Sequence, residues 1–211
     1  MKLADLKLEA LRIMNINNDM ELRSEKFQSI ISEKRFAKYL NNMTNSINRA
    51  IDIINHRRIT TQKTTAMDKL LIKRGLLTNR YDLTSIDDIL SVDRIIYEDN
   101  CKYLKSIPFD NEGECVVVSI QYDPKFLKLL YWSKIPAIKE TLQDFDEIPH
   151  LSDELARIIP YYIKYDLYQE DEPDLALHAK NTFEQGIESL RKLDNEKEEY
   201  YIESCYSSRE V

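Results

Sequence analysis

The most regular hydrophobic pattern of the chain lies between residues 148 and 193. Apolar side chains recur there at spacings of three and four residues, which places them on one face of a helix. They are Leu155, Ile158, Ile159, Tyr162, Ile163 and Leu167 in the first half, and Ala176, Ala179, Phe183, Ile187 and Leu190 in the second. Ser152 suits the N-cap of the first helix, and Pro173 suits the first position of the second. Because the connection is short, the pattern predicts an antiparallel helical hairpin.

Two residues interrupt this hairpin pattern. Pro160 removes a backbone hydrogen bond and is expected to kink the first helix. Gly186 stands in the middle of the second helix, where glycine costs about 1 kcal/mol relative to alanine. Gly186 either allows another backbone, of the partner helix or of a neighbouring subunit, to come close, or is a tolerated weak position. The sequence leaves both interpretations open.

The N-terminal part of the chain carries two further helical patterns. The stripe of a short first helix consists of Leu3, Leu6, Ala10 and Ile13. A longer stripe over residues 24–55 consists of Phe27, Ile30, Ile31, Ala37, Leu40, Met43, Ile47, Ile51 and Ile54. We interpret both stripes as core-facing, because each keeps the helical period along its whole length.

From residue 57 the pattern changes to Thr-rich and β-branched segments. The predicted strands are residues 91–98, 101–104 and 115–122, with turns at residues 99–100 and 111–113. Residues 125–132 (KFLKLLYW) are predicted to begin a short helix. The expected fold class is therefore α+β: a mainly α-helical bundle of two N-terminal helices and a C-terminal antiparallel helical hairpin, with a small antiparallel β region inserted at about residues 57–123. Residues 1–194 are predicted to form one domain, followed by a C-terminal docking tail of residues 195–211.

Charge is distributed unevenly along the chain, although the net charge is only -7. Residues 57–80 contain seven Lys and Arg against one acid, whereas residues 140–211 contain nineteen acids against seven bases. The basic residues singled out as a contact surface are Arg57, Arg58, Lys63, Lys73 and Arg74. They form a solvated face, a contact with the acidic surface of a neighbouring subunit, or a contact with nucleic acid.

The tail combines charge with aromatic residues. The tail is too apolar for a segment that only solubilises the chain, because it contains Tyr200, Tyr201, Ile202 and Tyr206. We interpret them as a strip that docks onto another protein, because tyrosine gives a large contact area at low entropic cost. The alternative is that they fold back onto helices of this chain.

Candidate chemistry is sparse in the sequence. A chain of 211 residues with 43% hydrophobic residues can bury a proper core. The three histidines and three cysteines are scattered without metal-ligand spacing, and the three glycines form no phosphate-binding loop. We therefore expect no enzyme, no metal and no cofactor. No apolar run reaches the length of a membrane span, and the thiols suggest maturation in cytoplasm.

Several short sequence motifs in the second half of the chain resemble those of a known protein family. The strand 115–122 ends at Tyr122, shortly before Pro124. The first helix of the hairpin is entered through three short motifs, Ile148-Pro149, Asp153-Glu154-Leu155 and Ile158-Ile159-Pro160. The final helix contains alanines and is preceded by Asp171-Glu172-Pro173. Over residues 80–193 this order is similar to that of the head–tail adaptor (connector, or head completion) proteins of tailed bacteriophages. The N-terminal helices match that family only by position.

The resemblance implies a structural virion protein. Copies of the chain would form a ring, a dodecamer that matches the portal, located at the portal–tail junction after assembly in the host bacterial cytoplasm. The ring would contact the portal protein on one side and a tail or second ring protein on the other. Duplex DNA would pass through its lumen without specific binding, because an acidic lumen repels the phosphates. The alternative, from the residues alone, is a DNA-binding or regulatory helical protein that uses residues 57–80.

Overall fold

The computed structural model describes residues 1–14, 34–98, 104–139 and 141–207. The helices in this part are α1 (Leu3–Ile13), α2 (Lys34–His56), α3 (Asp153–Tyr168) and α4 (Pro173–Ser207). The strands are β1 (Gln62–Ala66), β2 (Leu71–Arg74), β3 (Thr78–Asp82), β4 (Ile89–Glu98), β5 (Leu104–Ile107), β6 (Phe109–Asn111), β7 (Cys115–Ser119) and β8 (Leu127–Ser133). The chain divides into a helical unit, residues 1–59 and 136–211, and a β unit, residues 60–135.

The helical unit is organised around α3, which packs against each of the other three helices. The Ser152 hydroxyl accepts a hydrogen bond from the Leu155 N–H at 3.3 Å, so the predicted N-cap forms. Pro173 is the first residue of α4, as expected from its missing N–H. The C-terminal hairpin and the first helix are thus confirmed. Of the predicted helix over residues 24–55, residues 24–33 lie outside the described part, and α2 covers the remainder.

Gly186 is explained by its neighbour on the partner helix. A Cβ placed at this glycine would lie 2.6 Å from Cγ2 of Ile158 and 3.3 Å from its Cβ. The glycine therefore makes room for a β-branched side chain of α3, rather than for a backbone. Pro160 is buried in the same helix, which continues through it to Tyr168.

The β unit contains two antiparallel sheets of four strands. One has the strand order β1-β8-β4-β5, and the other the order β2-β3-β7-β6. The shared core is formed by buried residues from both sheets, from the short 3-10 segment 67–70 and from the residue after β3. Its members are Met67, Leu70, Tyr81, Leu83, Ile95, Ile107, Val116, Val118, Leu127, Leu129 and Tyr131. The unit therefore has a hydrophobic core of its own.

The predicted fold class is wrong in its proportions. The described residues form four helices and eight strands in two antiparallel sheets, which is not a mainly helical bundle with a small inserted β region. The strands extend from Gln62 to Ser133, beyond the predicted limit near residue 123. The class was misjudged because most strands here have three to five residues, too few for alternation to show in the sequence.

The largest single error concerns residues 125–132, which were predicted to begin a helix. Leu127–Ser133 is instead an inner strand, β8, paired with β1 on one side and β4 on the other. Its burial alternates strictly, with Leu127, Leu129 and Tyr131 buried. The alternate face carries Leu130 and Trp132, which are half-buried. Because apolar residues occupy both faces, the sequence lacks the period of two that identifies a strand.

Candidate interaction surface

A tight hairpin connects β2 and β3 at one end of the second sheet. The Gly75 N–H donates a hydrogen bond to the Thr78 carbonyl at 2.9 Å, which closes the turn. A Cβ on Gly75 would lie only 2.5 Å from the Thr78 oxygen, so this position requires glycine. Leu76 and Leu77 are consequently held at the very end of the hairpin.

These two leucines are almost fully exposed. Leu76 exposes 96% of its surface and Leu77 79%. Ile72 on β2 and Ile120 after β7 are also exposed, and the Ile120 N–H donates to the Leu77 carbonyl at 2.9 Å. We call these four residues, Ile72, Leu76, Leu77 and Ile120, the apolar tip. They are the exposed large hydrophobic residues that the structure describes in the β unit.

Hairpin turns are normally built from glycine, asparagine, aspartate or serine. Two leucines at such a turn violate this rule, and each would gain about 1.5–3 kcal/mol if it were fully buried. Grouped exposed apolar residues of this kind mark a contact surface for another molecule. The apolar tip is therefore the strongest candidate interaction surface among the described residues.

Two of the predicted basic contact residues lie beside the apolar tip. Lys73 and Arg74 are both exposed on β2, opposite Arg80 and Asn79 of β3. Neither side chain forms an ion pair with a residue in the described ranges. The surface thus combines a projecting apolar turn with two cations.

The other predicted basic residues are placed elsewhere. Arg57 follows α2 and pairs with Glu184 of α4, with Nη2 and Oε1 3.0 Å apart. Arg58 is exposed and has a positive φ of 56°. Lys63 lies on β1, in the other sheet from Lys73 and Arg74, and forms an ion pair with Asp88. Within the β unit, Lys63 thus lies on a different sheet from Lys73 and Arg74, and the role of all five residues as a subunit or DNA contact stays a prediction.

Lys63 belongs to a polar network of the β unit. The Tyr131 hydroxyl donates to the second carboxylate oxygen of Asp88 at 3.1 Å. Burial, together with the negative charge of Asp88, raises the pKa of Tyr131 to about 12. These contacts link β1, β8 and the segment before β4, and we infer that their role is to stabilise the β unit.

The predicted docking residues of the tail lie at the end of the described part. Helix α4 continues to Ser207, so the backbone of residues 200, 201, 202 and 206 is helical. The side chains of Tyr200, Tyr201, Ile202 and Tyr206 lie outside the described residues, as do residues 208–211. Their docking role stays a prediction.

Residues 1–14, 34–98, 104–139 and 141–207 offer no metal site and no membrane span. They contain no group of three or more His, Cys, Asp or Glu side chains that could hold a metal ion. None of their helices is long and apolar enough to cross a membrane.

The sequence prediction identified the cations of the hairpin but missed its leucines. The available signal was the motif Gly75-Leu76-Leu77, in which two leucines follow a glycine inside an otherwise polar, basic segment.

A comparison with models of known protein families gives no match for this chain, and a comparison with curated proteins gives none either.

Proposed function

We propose that the chain is a structural virion protein, a head–tail adaptor whose copies form a ring between the portal and the tail of a bacteriophage. The observation that carries the proposal is the apolar tip, because two leucines held in water at a hairpin turn fit a protein that assembles with others. The resemblance of residues 80–193 to adaptor proteins supplies the identity of the assembly. The helical hairpin of that resemblance forms where it was predicted.

In this proposal the chain acts through assembly and not through catalysis. A ring of twelve copies would surround the channel through which duplex DNA leaves the capsid. Since each chain carries a net charge of -7, negative surface facing the lumen would let DNA slide without specific binding. The protein would reside at the portal–tail junction of the virion after assembly in the host bacterial cytoplasm.

The alternative, a DNA-binding or regulatory protein that uses residues 57–80, is less well supported. Lys73 and Arg74 are exposed and would suit phosphate contacts. However, Arg57, Lys63 and Arg80 are each paired with an acid of the same chain. Leucines at the tip of a hairpin also favour a protein surface over a phosphate backbone.

Native mass spectrometry tests this proposal on the purified full chain, alone and mixed with the portal protein from the same genome. We expect a closed oligomer of about twelve copies, formed alone or on the portal, because heterologous contacts that close give rings. A chain that stays monomeric under both conditions contradicts the proposal. Tight binding of duplex DNA at physiological salt by such a monomer would support the alternative.

The same mixtures test the tail. A full-length chain with Tyr200, Tyr201, Ile202 and Tyr206 replaced by serine keeps the length of α4, whereas a chain stopped after Asp194 shortens it. Both variants should melt like the natural chain but bind the portal orders of magnitude more weakly, because each buried aromatic is worth on the order of 2 kcal/mol. A much lower melting temperature would mean that these residues pack on their own chain. Unchanged portal binding would place the docking surface elsewhere.

A further inference from the structure

We infer that the apolar tip of one copy docks onto the acidic turn between α3 and α4 of a second copy. This inference rests on the proposed function, since it names the contact that would join neighbouring subunits of the ring. The acidic turn is defined here as Glu170, Asp171, Glu172 and Asp174 with the exposed Leu175 and Leu177.

The chemistry of the apolar tip specifies its partner. Leu76 and Leu77 require an apolar surface, and the cations Lys73 and Arg74 beside them require acids at its edge. Two tips facing each other would satisfy the leucines but would bring four cations together. Like charges at an interface are unfavourable, so the tip must bind a different surface.

Three exposed large hydrophobic residues are described in the helical unit, and each has acids nearby. They are Phe145, Leu175 and Leu177. At Phe145, however, the two acids adjacent in sequence are already engaged. Asp144 pairs with Lys7 at 2.7 Å, and the Asp146 carboxylate accepts a hydrogen bond from the Gln143 N–H at 2.9 Å.

The acidic turn is better suited to receive the tip. Glu170, Glu172 and Asp174 are exposed, and none of them forms an ion pair with a residue in the described part of the chain. Leu175 is 45% exposed and Leu177 57% exposed, and both lie within the first five residues of α4, close along the chain to these carboxylates. Tip and turn thus complement each other in both charge and polarity.

A contact between two different surfaces has a consequence for assembly. Each copy carries one tip and one turn, so it can bind one neighbour with each. Such a heterologous contact generates a ring if the rotation between copies closes. The inferred contact is therefore of the kind that a ring requires.

Charge reversal and its rescue test the contact. K73E/R74E and E170K/E172K should each weaken self-association at least about tenfold, because like charges then face each other. Combining all four changes in one chain should restore association, since opposite charges meet again. The control K105E/K125E reverses two exposed lysines elsewhere in the β unit and should leave association unchanged. Sedimentation measures association, and melting temperatures show whether each variant is folded.

The apolar part of the contact is tested separately. L76S/L77S should weaken association at low and at high salt alike, because burial of leucine is not screened by ions. If the rescue fails, or if the serine variant associates normally, the inferred contact is overturned.

A photo-crosslinking residue at position 77 identifies the surface that the tip touches. In a mixture of isotope-labelled and unlabelled copies, we expect crosslinks between copies that map to residues 169–177. Crosslinks to another tip, or to any other segment, overturn the inference. Rings that form with every variant would overturn this contact but leave the proposed function intact. Crosslinked head-to-tail dimers without any ring, alone or with the portal, would support the contact and contradict the proposed function.

Discussion

The helical unit and the β unit place their large apolar residues differently. In the helical unit, Phe183, Ile159 and Ile163 are fully buried at the spacing of a helical stripe. The β unit also has a buried core, yet it holds Leu76 and Leu77 in water at the end of a hairpin. The exposed large apolar residues described in the helical unit reach at most 57% exposure, whereas the two hairpin leucines reach 79% and 96%. Such strong departures from the expected burial occur where a protein contacts other molecules.

The two units are more alike in how they use buried tyrosine. In the β unit the Tyr131 hydroxyl donates to Asp88 at 3.1 Å. In the helical unit the Tyr168 hydroxyl donates to the Met14 carbonyl at 2.7 Å and ties α3 to the end of α1. Each unit thus has a polar anchor of its own beside its hydrophobic core.

Removing one large core residue from each unit should have the largest effect. Phe183→Ala in the helical unit is expected to lower the free energy of unfolding by about 3–5 kcal/mol, and Leu129→Ala in the β unit by about 2–5 kcal/mol. Both side chains are completely buried, so each variant leaves a cavity. Amide hydrogen exchange measures the loss separately in each unit.

The comparison of the units predicts that each loss stays local. Phe183→Ala should speed exchange in α3 and α4, and Leu129→Ala should speed it in β4 and β8. If either variant lowers protection equally in both units, the two cores unfold together and the division into units has no energetic meaning.

A smaller change in the free energy of unfolding is expected from a substitution of Gly186. The sign of this change shows whether side-chain packing or helix propensity dominates. Alanine in a helix interior should stabilise by about 1 kcal/mol over glycine. Because the new Cβ would lie 2.6 Å from Cγ2 of Ile158, we expect Gly186→Ala to destabilise the helical unit by about 1–3 kcal/mol instead.

The matched control removes the obstructing side chain. In an Ile158→Ala background the 2.6 Å contact with Cγ2 is removed and only the 3.3 Å contact with Cβ remains, so Gly186→Ala should become much less destabilising, or neutral. Chemical denaturation of the four chains completes this double-mutant cycle. A destabilisation of the same size in the Ile158→Ala background would rule out the contact with Cγ2 of Ile158 as its cause.

The last comparison of the two units concerns stability at high pH. Burial raises the pKa of Tyr168 to about 12, helped by neighbouring Tyr39, and burial with Asp88 raises the pKa of Tyr131 to about 12. In the unfolded chain both would ionise near 10.0. Between these values the unfolded chain binds fewer protons than the folded chain, so stability is fully present below pH 10 and falls as the pH rises toward 12.

Replacing each tyrosine by phenylalanine shows which of the two units causes the loss of stability at high pH. Tyr131→Phe and Tyr168→Phe should each flatten the decrease of unfolding free energy over that pH range, because each removes one ionisable group. Denaturation curves at several pH values measure the slope. An unchanged slope in either variant would mean that its tyrosine titrates normally in the folded protein.

Local pattern made the helical unit predictable. The stripe from Leu155 to Ile163, the cap at Ser152 and the helix start at Pro173 follow from spacing and backbone chemistry within a few residues. The candidate interaction surface could be predicted only in part, since Lys73 and Arg74 stood out by charge whereas Leu76 and Leu77 did not. Their exposure depends on the pairing of β2 with β3, which the sequence pattern did not reveal.

The sequence by itself determined the helical stripes, their caps and the uneven charge, because a helix is stabilised by neighbours three and four residues apart. Only the tertiary structure decided that Leu127–Ser133 is an inner strand, since its partners β1 and β4 lie far away along the chain. Tertiary packing likewise decided that Gly186 accommodates Ile158 and that Arg57 pairs with Glu184. In each of these cases the deciding neighbour is distant in sequence, so no local period encodes it.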